Sequence, residues 1–355
     1  MLDPVSMLDT LEAALRPRYA FKARTAEQAR TWQRQTRAAV ARCLGFQRQK
    51  KVPLQPRQVQ KVDRGDYVRY KIVIRTTSWT HMPMYVLVPK GRRRPGPVVM
   101  ALHGHGYGVK DIVGLWEDGS ERYTPSGYHK DFGCALAMHG FVVIAPEISC
   151  FGERTRNYDH LPPNHAPSTC HHVATYAAML GGSALGLRVW DTMRAIDYAL
   201  TRPEVDAKRI GAMGISGGGM LSFFTTALDR RIKACVVSGY FCNWRHSILA
   251  MNHCACNFVP GLLQIGRLED LAGLIAPRPC LVENADHDTI FPLEHVRRTV
   301  RRARRSWSVF GATDRLQTDF FEGRHEISGA RAYDFLAEHL GLGIHPVSRR
   351  GAVKR

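Results

Sequence analysis

Apolar positions along this chain keep three different rhythms in turn. Residues 1 to about 50 follow a helical period. Thr25 and Gln28 form a capping box, and Ala29, Trp32, Ala39, Val40, Cys43 and Leu44 then return to one face until Gly45. Residues 66 to 90 switch to strand runs, Tyr67–Ile74 and Met82–Pro89, expected to pair as an antiparallel edge. A basic turn follows, from Gly91 to Pro97. Beyond it, strands and helices alternate. Strands are expected at 98–102, 141–145, 209–215, 234–237, 280–283 and 317–321. Helices are expected at 128–138, 187–200, 217–228, across the arginine-rich segment near 297–307, and at 330–340. Such alternation predicts an α/β fold, a mostly parallel sheet with right-handed crossovers and helices on both faces. The expected division is a helical extension over 1–59, an α/β domain over 60–345 and a basic tail over 346–355. Two long irregular stretches, 107–127 and 149–186, are expected to roof a pocket.

Composition narrows the picture only modestly. The chain has 355 residues, 45% hydrophobic and 23% charged, which is ordinary for a globular protein with a large core. No apolar run is long enough to span a membrane, and residues 1–16 do not have the pattern of a signal peptide, so a cytoplasmic protein is expected. The nine cysteines are scattered and read as reduced thiols. His253-Cys254-Ala255-Cys256 has no second ligand pair at zinc spacing, so loop packing is expected there and no metal. The net charge of +19 raises a polyanion as a partner. Its densest cluster, Arg297 to Arg305, is interleaved with Val296, Val300, Ala303 and Trp307 at helical spacing, which describes a solvated helix face and no nucleic-acid footprint.

The chemistry gathers where strands end, because open α/β sheets bind ligands beyond their carboxyl edge. Gly214-Ile215-Ser216-Gly217-Gly218 joins a strand to a helix as G-x-S-x-G, a turn tight enough to push a serine Oγ out of the sheet. The run His103-Gly104-His105-Gly106 follows an earlier strand. There the glycines let backbone amides approach a developing alkoxide, and the amides of His105 and Gly217 are the expected oxyanion donors. Asp286 and Asp288 follow the strand at 280–283, and Asp288 is preferred as the carboxylate that orients a histidine, with Asp286 as a turn former. His325 follows the last strand, where a general base belongs. The chain order Ser216, Asp288, His325 is that of α/β-hydrolases. Tyr107, Trp116 and Trp244 are candidate pocket aromatics that could stack on a sugar, and Glu153 with Arg154 is expected to form an ion pair beneath the site.

Further stretches resemble a known family. Phe241–Leu262, Leu274–Pro279, Gly152-Glu153-Arg154, Arg202–Asp206 and Asp288–Pro292 are similar to the dienelactone hydrolase and acetyl xylan esterase-like branch of the α/β-hydrolases. The resemblance covers roughly 60–342. It implies a cofactor-free serine carboxylesterase with Ser216 as nucleophile, Asp288 as acid partner and His325 as base, in a branch whose activities range over acetylated sugars, other carboxylic esters and some lactones or peptides. The helical extension over 1–59 is expected to pack on the main domain or on the partner subunit of a homo-oligomer. Glu147 departs from the aspartate that relatives often carry at that position. Two other readings stay open: a peptidase or acylaminoacyl-releasing enzyme on the same fold, weakened by the lack of a propeller-sized N-terminal domain, and a non-catalytic polyanion-binding protein.

Overall fold

The computed structural model describes residues 3–45, 49–91 and 95–343. The expected basic tail, 346–355, and part of the basic turn after Gly91 lie outside the described residues.

Nine strands form one sheet: β1 Arg57–Asp63, β2 Tyr67–Arg75, β3 His81–Pro89, β4 Gly96–Leu102, β5 Val142–Pro146, β6 Val205–Ile215, β7 Ile232–Ser238, β8 Cys280–Ala285 and β9 Leu316–Phe321. Their order is β1-β2-β3-β5-β4-β6-β7-β8-β9. The first three and β5 pair antiparallel, and every pairing from β5 through β4 to β9 is parallel. Strand β4 is buried throughout, so its alternation serves two cores. Val98, Met100 and Leu102 face one layer; Val99 and Ala101 face the other. Strand β1 was not expected. Its residues are nearly all exposed, so RQVQKVD carries no apolar face to read.

In chain order the helices are α1 Pro4–Ala14, α2 Ala26–Cys43, α3 Phe132–Met138, α4 Thr169–Met179, α5 Ala184–Ala199, α6 Gly217–Leu228, the single turns α7 Leu262–Ile265 and α8 Leu268–Leu271, α9 Leu293–Ser308 and α10 Ala332–Leu340. The Thr25 hydroxyl accepts from the Gln28 amide and starts α2, as its sequence predicts. That helix is fixed to the α/β layer. Gln33 donates to the carbonyls of Gly273 and Ala276, and Arg37 donates to those of Ala227 and Leu274. On α9, Val296, Val300, Ala303 and Trp307 are buried, while Arg302 and Arg305 reach back to the buried acids Glu269 and Asp270.

Two further elements depart from expectation. Helix α3 begins at Phe132, four residues later than the sequence suggests, because Lys130 and Asp131 both sit in the left-handed region at φ 48°. That kink leaves Tyr128 and His129 outside the helix. The segment 149–186 is no bare loop, since Ser168 caps α4 by accepting from the His171 amide.

Candidate active site

The turn at Ser216 is built by steric exclusion. Ser216 joins β6 to α6 at φ 58° and ψ −122°, a region L residues rarely occupy. A methyl group on Gly218 would overlap the Leu102 carbonyl, and one on Gly214 would overlap the Gly218 carbonyl. Only hydrogen fits at both places, which accounts for the glycines two residues either side of the serine. The Ser216 amide donates to Ser238 O at 3.1 Å, tying the turn to the end of β7.

Asp288 and His325, from the loops after β8 and β9, meet directly. His325 Nδ1 lies 2.7 Å from Asp288 Oδ2, and Asp288 Oδ1 accepts the amides of Ile290 and Phe291 at 2.9 and 3.0 Å. A carboxylate so placed fixes Nδ1 as the protonated nitrogen and leaves Nε2 as the acceptor. His325 Nε2 is buried and, among the described residues, has no hydrogen-bond partner, Ser216 included. The ring is held between Tyr128 and Phe291, at centroid distances of 5.4 and 5.7 Å. A methyl group on Gly239, at the end of β7, would come 2.9 Å from His325 Cε1 and 3.5 Å from Ile215 Cγ1, so the imidazole sits against the serine turn. Asp286 does a different job. Its Oδ1 accepts the Gly323 amide at 3.0 Å and joins the two loops.

The loop after β4 is clamped by side chains the sequence did not point to. His129 Nε2 accepts the Gly104 amide at 2.8 Å, so its Nδ1 donates to Asp111 Oδ2 at 2.8 Å. Burial holds His129 below its ordinary pKa despite that carboxylate, so it stays neutral. His103 Nε2 accepts the Ile148 amide at 3.0 Å, which directs its Nδ1 to donate to Gly104 O at 2.8 Å. The Tyr128 hydroxyl donates to His105 O at 2.5 Å. With the Gly104 amide taken by His129, the loop retains the His105 amide as a candidate donor. The His105 ring lies beside Gly217, whose added Cβ would be 3.3 Å from His105 Nδ1. The i, i+2 spacing of His103 and His105 gave no hint of this clamp, because His129, Tyr128 and Ile148, which hold the loop, lie tens of residues away. Glu147 is fully buried under the same loop and accepts the Val109 amide at 2.9 Å.

The candidate pocket aromatics separate. Tyr107 lines a cavity of about 400 Å³ with His105, Phe151, Cys170 and Cys254. Trp116 does not line it. It is 46% exposed and lies under the Arg122 guanidinium, 5.0 Å from its ring. Trp244 is buried elsewhere, its indole N–H donating to the Tyr240 hydroxyl at 3.2 Å. The expected Glu153–Arg154 pair does not form. Glu153 pairs with Lys71 at 2.6 Å and Arg154 with Asp191 at 2.7 Å, because the tight turn through Gly152–Arg154 sends consecutive side chains apart. Among the described residues, one group could hold a metal ion: His105, Cys170, Cys254 and Cys256, whose ligand atoms all lie within 4.8 Å of one another.

Comparison with known proteins agrees with this architecture. The Bacillus subtilis (strain 168) protein named Putative hydrolase YtaP is 29% identical over 238 residues, 65% of this chain and 74% of that protein. A structure from Bacteroides fragilis NCTC 9343, named as a putative acetyl xylan esterase, superposes with a TM-score of 0.76 at 18% identity, covering 91% of this chain and 82% of that one. A glucuronoyl esterase from Solibacter usitatus superposes with a TM-score of 0.65 at 16% identity, covering 92% and 96%. At these identities the superpositions speak for the fold, an α/β-hydrolase sheet. A model of the Abhydrolase family matches residues 3–306, and the chain belongs to that family.

Proposed function

We propose that the protein is a serine carboxylesterase that cleaves a small carboxylic ester, an acetylated sugar being the leading substrate class, through an acyl-enzyme. One observation carries the reading: a serine strained out of the sheet and an imidazole packed against the same turn, whose Nδ1 is held by a carboxylate 2.7 Å away and whose buried Nε2 has no hydrogen-bond partner among the described residues. In this mechanism Ser216 Oγ attacks the ester carbonyl while His325 Nε2 takes the hydroxyl proton. Asp288 steadies the imidazolium and keeps the tautomer. The amides of His105 and Gly217 receive the oxyanion. The tetrahedral intermediate collapses with the His325 proton passing to the leaving alcohol. Water, deprotonated by the same nitrogen, then releases the acid and restores the serine. Every group in this sequence is the chain's own. The acetyl xylan and glucuronoyl esterase names among structural relatives support an ester of a sugar as the first class to test.

A p-nitrophenyl acetate assay tests the reading. Ser216→Ala and His325→Ala should each lower turnover by about a thousandfold or more. A phosphonate probe should label wild type at Ser216 alone. Equal activity in wild type and Ser216→Ala would end the proposal.

A further inference from the structure

Beside the proposed nucleophile, four side chains converge that the ester chemistry does not use. His105 stands on the loop after β4, Cys170 in the first turn of α4, and Cys254 and Cys256 on the turn before α7. We propose that these four residues form a closed zinc site that staples the roof helix α4 and the 254–256 turn to the loop carrying the His105 amide.

The donor set is three thiols and one imidazole, a combination that selects Zn²⁺ in tetrahedral geometry. Zinc with Zn–S of about 2.3 Å and Zn–N of about 2.0–2.1 Å holds its ligand atoms roughly 3.5–3.8 Å apart. Here Cys256 Sγ lies 3.6 Å from His105 Nε2 and 3.1 Å from Cys254 Sγ, and no pair in the group exceeds 4.8 Å. Movements of a few tenths of an ångström up to about one ångström would complete the tetrahedron.

The surroundings are those of a thiolate site. Arg188 is almost fully buried, yet its hydrogen bonds go to Ser149 O at 3.0 Å and Cys170 Sγ at 3.2 Å, and no carboxylate pairs with it among the described residues. A buried guanidinium needs a counter-charge. Three thiolates around Zn²⁺ carry one net negative charge, which Arg188 would neutralise. The Asn257 amide donates to Cys256 Sγ at 3.6 Å and to Cys254 O at 3.2 Å, so the turn is held from behind as outer-shell partners hold metal ligands. The cavity that Cys170, Cys254 and His105 line offers an entry path. A disulfide would use two of the sulfurs and leave the imidazole, the third thiol and Arg188 without a role. Binding would release the thiol protons to solvent as Zn–S bonds form, with no change of oxidation state. The side chain of His105 would be the ligand, leaving its backbone amide free.

Elemental analysis of the full-length protein, purified under reducing conditions and reconstituted with Zn²⁺, should give about one zinc per chain. Cobalt substitution should give thiolate-to-metal charge-transfer bands and the d–d bands of a tetrahedral site. The double variant Cys254→Ser/Cys256→Ser and the single variant Cys170→Ser should fall to about a tenth of that content or less, whereas Cys150→Ser, altering a neighbouring thiol outside the set, should keep it. Cys170→His, if folded by circular dichroism, should retain the metal, which separates ligation from a packing defect. Chelator treatment of wild type should lower Tm by about 5 °C or more. Folded wild type that binds no zinc after reconstitution, a metal lost in Cys150→Ser but kept in Cys170→Ser, or a disulfide between any two of the three cysteines in protein isolated under reducing conditions would each overturn the assignment. Because the readout is metal content, it stands or falls separately from the esterase reading.

Discussion

Asp286 and Asp288 are two residues apart and chemically identical, so only their partners distinguish them. Asp288 holds the His325 ring and accepts two amides, while Asp286 holds one amide of the neighbouring loop. Asp288→Asn should therefore lower kcat by about three to four orders of magnitude, since the amide would favour the wrong tautomer. Asp286→Asn should change it by less than about tenfold, a comparison made in one steady-state assay. Glu283 offers a residue-scale test of stability. It is fully buried within β8, accepting from Ser238 Oγ at 2.8 Å and the Gly329 amide at 2.9 Å. Burial is the largest influence and pushes its pKa up to about 7, against an ordinary value of 4.5. The folded protein then holds a proton that the unfolded chain has lost. That contribution is present below pH 4.5 and disappears as pH rises to about 7, so stability falls across this window, by up to about 3 kcal/mol. Denaturant titrations of Glu283→Gln at several pH values should show this slope removed.

At the scale of elements, the turn between β6 and α6 tolerates almost no added volume. Gly218→Ala would drive a methyl group into the Leu102 carbonyl of the neighbouring strand and should destabilise by about 3 kcal/mol or more, with activity lost even where the chain still folds. This element was fully legible beforehand, because G-x-S-x-G encodes its own steric rule. The buried parallel strands were legible for a similar reason, since runs such as Val98–Leu102 are apolar on both faces. Strand β1 was not, because an edge strand of polar residues resembles a loop until its partner is known. Helix α4 was obscured by its composition. Two histidines and two threonines share its eleven positions, and only Cys170 and Ala174 are buried. The Asp111–His129–Gly104 clamp and the cluster at Cys254 were invisible to local spacing for another reason, since each is assembled from segments far apart in the chain.

Across the whole molecule, the N-terminal helix α2 behaves as part of the core. Leu44 and Val40 are buried within the same cluster as β4 and β6, and Gly186 approaches the Leu44 carbonyl so closely that a methyl group there would overlap it. Leu44→Ala should cost about 2–5 kcal/mol, read as a fall in Tm, even though the residue lies outside the α/β alternation. The site itself is distributed unevenly over the sheet. Ser216 rises from the buried second half of β6, at the centre of the sheet, whereas His325 hangs from β9, the last strand, which among the described residues is paired along one side only. Heat should accordingly loosen that rim first, withdrawing His325, the proposed base, while the centre still stands. Activity measured at temperature would fade several degrees before circular dichroism registers melting, and cooling from that interval would restore it in full.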